Sequence, residues 1–378
     1  MNENEITKAR SYFPYLDKGI IYFNHAATGP LSTKVKEDID KLFLDKNEGK
    51  IDNYDELVQK VSESKQLLAK MLNTTSNRIA FTENTSSGLN ILAQGMKWKE
   101  GDRIILNDIE FPSNVYPFMN LQNKGVEIDF VKSENGIVTA ENIIEAIKPE
   151  TKLISVSYVQ FLSGYRIDLE KLGTVSREKD IILAVDAIQG LGAININVEK
   201  YKVDFISCGT QKWLLGMQGM GFIFLTKELQ DKIDASFVGW LSVENAWDLL
   251  DYNYKLKRTA NRFQPGTLNI IGVYALNASL KMFDEFGFET IERQVLSNSK
   301  YFIDKLSDAE FNLILKDYNK ENLSGIVSLK HDDAEDIFNY LSKMDIICAV
   351  REGYLRFAPH FYNTEKEIDK VVVELKNY

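Results

Sequence analysis

Residues 181–190 read IILAVDAIQG, a run of branched apolar side chains that stops at a carboxylate. A strand with one wet face alternates apolar and polar residues, whereas a strand buried on both faces is apolar throughout. Residues 181–185 are of the second kind. Six further stretches share the habit: RIAFT (78–82), RIILND (103–108), VEIDFVK (126–132), KLISVSYV (152–159), VDFISCG (203–209) and GFIFLT (221–226). Helical periodicity fills most of the gaps, as at 87–96 and 140–147, and residues 33–72 read as two charged amphipathic helices ahead of the first strand. Strands alternating with helices predict βαβ units, hence an α/β fold with a mostly parallel seven-stranded sheet covered on both faces. After RFQPGTLN (262–269) the pattern changes to long helices followed by the short runs SGIVSLKH, DIICAV and GYLRFAP. This predicts a large α/β domain over 21–269 and a smaller α+β domain over 270–378, joined by residues 1–20.

Composition narrows the class. The 378 residues are 44% hydrophobic and 26% charged, the balance of a soluble globular chain long enough for two domains. A net charge of −10 disfavours nucleic acid and anionic membrane surfaces as partners. The two cysteines, Cys208 and Cys348, cannot form a disulfide framework, and His25, His331 and His360 lie far apart without metal-ligand spacing. No metal site is expected. MNENEITKAR lacks the apolar core of a signal peptide and no long apolar run follows, so the expectation is a cytoplasmic protein.

Ligands of open α/β sheets bind beyond the carboxyl ends of the strands. Four such ends carry unusual polar residues: TENTSSGLN, DIEFPSN, AVDAIQG and CGTQKWL. Asp186 is either a helix cap or a buried acid awaiting a cationic partner. Lys212 either extends its amine to water or holds it in a pocket. An acid that keeps a pyridine nitrogen protonated and an amine that forms an imine are what pyridoxal 5′-phosphate (PLP) most requires of a protein. In FTENTSSGLNILA, small hydroxyl residues open an apolar helix, which suits either an ordinary cap or a phosphate. Neither GxGxxG nor GxxxxGK[ST] is present, so a phosphate here fits PLP better than NAD or ATP.

On these residues the chain resembles the class V aminotransferase and cysteine desulfurase family of fold type I PLP-dependent enzymes. The resemblance runs from YFNHAATGPLS to YNTEKEID through TENTSSGLN, EFPSNVYPF, VSYVQFLSG, VDAIQGLGA, GTQKWL, FQPGTLN and RFAPHFYNTEKEID. It implies PLP as cofactor, an amino acid and a 2-oxo acid as small-molecule partners, and a homodimer with shared sites. It also implies roles. Lys212 would form the Schiff base and shuttle the substrate α-proton, Asp186 would pair with the pyridinium nitrogen, and Gln189 would donate to the phenolic oxygen. Thr85, Ser86, Thr210 and Gln211 would bind the phosphate, joined by Thr267 reaching across the dimer. Arg356 would clamp the substrate carboxylate, with His25 and Gln160 contacting substrate.

Three departures from the desulfurases stand out. Phe111 and Pro112 occupy the stretch where those enzymes place a histidine over the ring; Phe111 can stack there but cannot exchange a proton. Gln211 replaces a histidine before the lysine. In CAVREGYLRFAP, residues 352–355 alone separate Arg351 from Arg356, where desulfurases carry a mobile loop with a nucleophilic cysteine. Cys208 and Cys348 read instead as small core residues. Transamination needs the least added machinery and is the expected reaction. A carbon–sulfur lyase comes second, ahead of a desulfurase, an epimerase or a scaffold without chemistry. FVGWLSVENAWDLLDYN (237–253) is expected to line or cover the pocket.

Overall fold

The computed structural model describes residues 1–317 and 319–378. Helix α1 (Glu3–Arg10), strand β1 (Ile21–Tyr22) and helices α2 (Thr33–Glu48) and α3 (Tyr54–Leu72) precede the main sheet. That sheet is built from β2 (Ile79–Thr82), β3 (Arg103–Asn107), β4 (Glu127–Val131), β5 (Thr151–Ser157), β6 (Ile182–Asp186), β7 (Phe205–Gly209) and β8 (Gly221–Leu225). Its order is β2-β8-β7-β6-β5-β3-β4, and β8 alone runs against its neighbours. The expected mostly parallel seven-stranded sheet is therefore present. The other strands all end at one edge, which gathers Thr82, Asn107, Ser157, Asp186 and Gly209 there.

The apolar runs have a direct physical meaning. Leu183, Val185 and Ile206 join one core cluster, while their chain neighbours Ala184 and Phe205 join the other. The central strands thus bury side chains on both faces, every large one contributing about 1.5–3 kcal/mol on full burial. Strand β4, at the sheet's edge, has no buried residue, contrary to the reading of VEIDFVK as a strand covered on both faces. Helix α4 (Thr85–Gly95) supplies Leu89 and Leu92 to the second cluster. Shorter helices α5 (Tyr116–Met119), α6 (Ala140–Glu145), α7 (Leu169–Glu178) and α8 (Lys227–Lys232) complete the layers.

Beyond them come α9 (Ile270–Phe286), α10 (Phe288–Asp308), β9 (Val327–Lys330), α11 (Ala334–Lys343), β10 (Ile346–Ile347), β11 (Ala349–Arg351), β12 (Tyr354–Phe357) and α12 (Glu365–Asn377). Strands β11, β12 and β9 form an antiparallel sheet in that order. The amino-terminal segment is tied to this part: β1 pairs with β10, and Arg10 bonds the Tyr362 carbonyl and Glu367. The β11–β12 turn matters most for function. Arg351 pairs with Tyr354, and between them Glu352 and Gly353 both have positive φ, +49° and +78°. This is a two-residue hairpin of type I′, the tightest connection two antiparallel strands use.

Candidate active site

Asp186 closes β6 at the sheet edge and is 2% exposed. One carboxylate oxygen accepts the Ile188 N–H at 3.0 Å and the other the Ser113 hydroxyl at 3.3 Å. Burial pushes its pKa up to about 6, and Glu110 adds to this against the pull of Ile188, Lys212 and Ser113. A cation placed against it would restore its charge. Lys212 follows β7 in a turn that is pinned from several sides. Its neighbour Trp213 is fully buried and donates its indole N–H to Gln189 at 3.0 Å, while the Trp213 carbonyl lies 2.9 Å from His360 Nε2. Gly29 and Gly192 permit this packing, since a Cβ at either would fall 2.3–2.4 Å from the backbone of Lys212 or Trp213. Burial lowers the Lys212 pKa to about 8, with Asp186 opposing the shift and Arg356 and Arg351 reinforcing it. The result is an amine neutral enough near pH 8 to act as nucleophile and base.

Across from this amine stands Phe111, its ring centre 5.6 Å from Lys212 Nζ and 5.5 Å from the Phe161 ring. Ser86 and Thr85 open α4, whose cap Asn84 takes the Ser87 N–H. Thr85 is bolted to β7: its carbonyl accepts the Ser207 hydroxyl at 2.8 Å and its hydroxyl accepts the Gly209 N–H at 3.0 Å. Gly88 makes room for that contact, because a Cβ there would sit 2.2 Å from Ser207 Oγ. The Thr85 and Ser86 N–H groups belong to the helix's first turn, which has no intrahelical acceptors. Arg356, on β12, is 2% exposed and bonds the Phe161 carbonyl at 2.7 Å, but its buried Nε has no partner. Burial, with Arg351 second, lowers its pKa to about 10. A buried guanidinium without a carboxylate is costly unless an anion joins it.

The sequence profile of the aminotransferase class-V family matches residues 21–371. The chain belongs to the aminotransferase class-V family. A probable cysteine desulfurase of Borreliella burgdorferi is 30% identical over 420 residues, covering 99% of this chain and 96% of that one. An uncharacterized aminotransferase, YcbU of Bacillus subtilis, is 27% identical over 93% of this chain and 91% of its own. The apo structure of the cysteine desulfurase from Thermococcus onnurineus NA1 superposes with a TM-score of 0.85 at 25% identity, over 96% of this chain and 95% of that one. The fold is that of fold type I PLP-dependent enzymes, and the cofactor of this aminotransferase class-V protein is PLP.

The residues present fit that cofactor. Asp186 would face the ring nitrogen, Phe111 would cover the ring, Lys212 would bond its aldehyde carbon, and the α4 N-terminus would take the phosphate. Gln189 keeps one free N–H for the phenolic oxygen; its amide otherwise donates to the Ala26 carbonyl at 2.9 Å and accepts from Trp213. Gln211, expected at the phosphate, is half-buried beside Lys212.

Three expected site residues are engaged elsewhere. Both ring nitrogens of the fully buried His25 are occupied, Nδ1 by the Ala358 carbonyl at 2.7 Å and Nε2 by the Tyr362 hydroxyl at 2.6 Å. His25 is therefore a core residue rather than a substrate ligand. Thr210 donates its hydroxyl to the Met217 and Met220 carbonyls and so serves the lysine turn, not the phosphate. Gln160 holds its own loop through the Ile109 carbonyl and the Leu162 N–H, which leaves one N–H for substrate. Thr267 is exposed at the surface of the single chain.

Other contributors escaped the reading of the sequence. Ser113 bonds Asp186, and Glu110 accepts from Asn107, Asn114 and Ser157 beneath it. Their motif, DIEFPSN, was visible, but the direction of each side chain was not. Lys65 is buried in α3 and donates to Asn261 and Gln264 at 2.5 and 2.7 Å, fixing the segment that leads to Thr267. Burial, with Lys257 second, lowers its pKa to about 7.

Proposed function

We propose that this class V protein is a transaminase that moves the amino group of an amino acid to a 2-oxo acid. The observation that carries the proposal is the two-residue β11–β12 hairpin, Glu352-Gly353. A desulfurase thiol would need a loop at this place long enough to swing over the cofactor, and a type I′ turn has no residue for it. The two cysteines offer no substitute. Cys208 is 0% and Cys348 2% exposed, and burial raises both thiols, Cys348 to about 12, away from the reactive thiolate.

When bound, PLP supplies an electron-withdrawing ring conjugated to the substrate α-carbon. The chain does the rest. Lys212 would take the substrate α-proton, Asp186 would hold a proton on the ring nitrogen, and Arg356 would hold the α-carboxylate. Phe111 shields one ring face from water without competing for protons.

A homodimer belongs to the same proposal. Thr267 is exposed on the single chain, where a partner's phosphate could reach it. A cavity of about 930 Å³ beside the α4 N-terminus, lined by Ser86, Phe237, Phe263 and Pro265 among others, lies open. Phe237, Trp247, Leu250 and Tyr252 are 62–87% exposed, an apolar strip that a partner would cover.

The test is a panel of amino acids assayed for 2-oxo acid, ammonia, sulfide and alanine. Transamination gives 2-oxo acid and an aminated acceptor without ammonia. Ammonia with a released thiol or sulfide would instead identify the carbon–sulfur lyase, and alanine plus sulfide from cysteine a desulfurase.

A further inference from the structure

The hairpin that excludes a thiol also brings a second guanidinium to the site. Opposed residues of an antiparallel pair share a face, as do residues two apart on one strand. Arg356 opposes Ala349, and Arg351 lies two residues beyond Ala349, so Arg351 and Arg356 point to the same side of the small sheet. Such diagonal neighbours stand about 7–8 Å apart. The other two positions of that face are Ala349, a methyl opposite Arg356, and Tyr354, opposite Arg351, and neither carries a negative charge.

Like charges placed this way repel, and sheets normally answer them with a carboxylate. None is supplied: among the described residues neither arginine forms an ion pair, and Arg351 bonds only the carbonyl of its neighbour Val350. Arg356 is buried with an unpartnered Nε, whereas Arg351 is exposed. Each acts on the other parts of the site, since Arg351 disfavours the charge on both Arg356 and Lys212. A ligand that brings two negative charges would answer both guanidiniums at once.

We propose that Arg351 binds a second, distal carboxylate, so that the substrate is a dicarboxylic amino acid. This rests on the reading of Arg356 as the α-carboxylate clamp. The inner guanidinium takes the carboxylate common to all amino acids, and the outer one selects among side chains. A neutral or apolar side chain would leave Arg351 solvated and gain nothing from it.

Calorimetric titration of the holoenzyme with glutarate and with butyrate tests this without turnover, since neither ligand carries an amine. Glutarate should bind at least about tenfold more tightly, a difference of about 1.4 kcal/mol. The advantage should shrink as salt rises, because Arg351 is solvent-exposed. Arg351→Ala should remove the advantage and leave butyrate within about twofold, and Arg351→Lys should retain part of it. Equal binding of the two ligands by the unmodified enzyme, or equal weakening of both by Arg351→Ala, would overturn the proposal. Failure of the underlying reading looks different: butyrate binding would then be indifferent to Arg356→Ala.

Discussion

Lys212 has an ordinary identity and an unusual setting. Its amine must be neutral to attack a carbonyl, and the neutral fraction grows with pH up to the pKa. With that pKa held near 8 by burial, uptake of PLP by the apo-protein should accelerate about tenfold per pH unit below 8 and level off above it. A rise continuing through pH 10 would mean an unshifted surface lysine. Borohydride reduction should leave the pyridoxyl group on Lys212 in a peptide map and on no other lysine. Arg356→Ala should raise the substrate KM by roughly tenfold to a hundredfold, since charge-assisted hydrogen bonds contribute about 1.5–3 kcal/mol. An unchanged KM in steady-state assays would remove Arg356 from the substrate.

Elements, not single residues, set the distances on which that chemistry depends. Helix α4 reaches the sheet edge because Gly88 lets it lie against Ser207 and Ile223, where an added Cβ would be 2.2 and 2.7 Å from side-chain atoms. Gly88→Ala should push α4 outward, break the bond from Ser207 to the Thr85 carbonyl, and cost about 1–3 kcal/mol of stability. PLP affinity in a spectrophotometric titration should fall with it; unchanged affinity would separate α4 from phosphate binding. The strands themselves were legible because burial on both faces leaves short runs rich in branched apolar residues, such as IILAV, that are too short for a buried helix. The reversed direction of β8 was not, since GFIFL is equally apolar read either way. The same limit applies to polar residues. His25 and Thr210 sit in motifs that look like site chemistry, and only the fold reveals that Tyr362, Ala358, Met217 and Met220 already occupy them. Lys65 shows the converse. A lysine in a charged helix reads as solvated, yet Asn261 and Gln264, far along the chain, draw it inside.

At the scale of the molecule, the family fold leaves the reaction open, and the proposed transamination rests on the local departures. Two-fold pairing would bring Thr267 to a partner's phosphate site and cover the exposed strip around Trp247, so sedimentation should give a dimer and Thr267→Ala should weaken PLP binding. A fully active monomer would contradict that arrangement. The proposed transfer of the amino group uses Lys212 and no protein thiol. It is tested most directly by one turnover of the Cys208→Ala/Cys348→Ala holoenzyme with an amino donor and no acceptor, measuring 2-oxo acid per Lys212 site. The expected amount is stoichiometric, equal to that from the unmodified enzyme. No 2-oxo acid from the double variant, while the unmodified enzyme releases sulfide and alanine from cysteine, would contradict it.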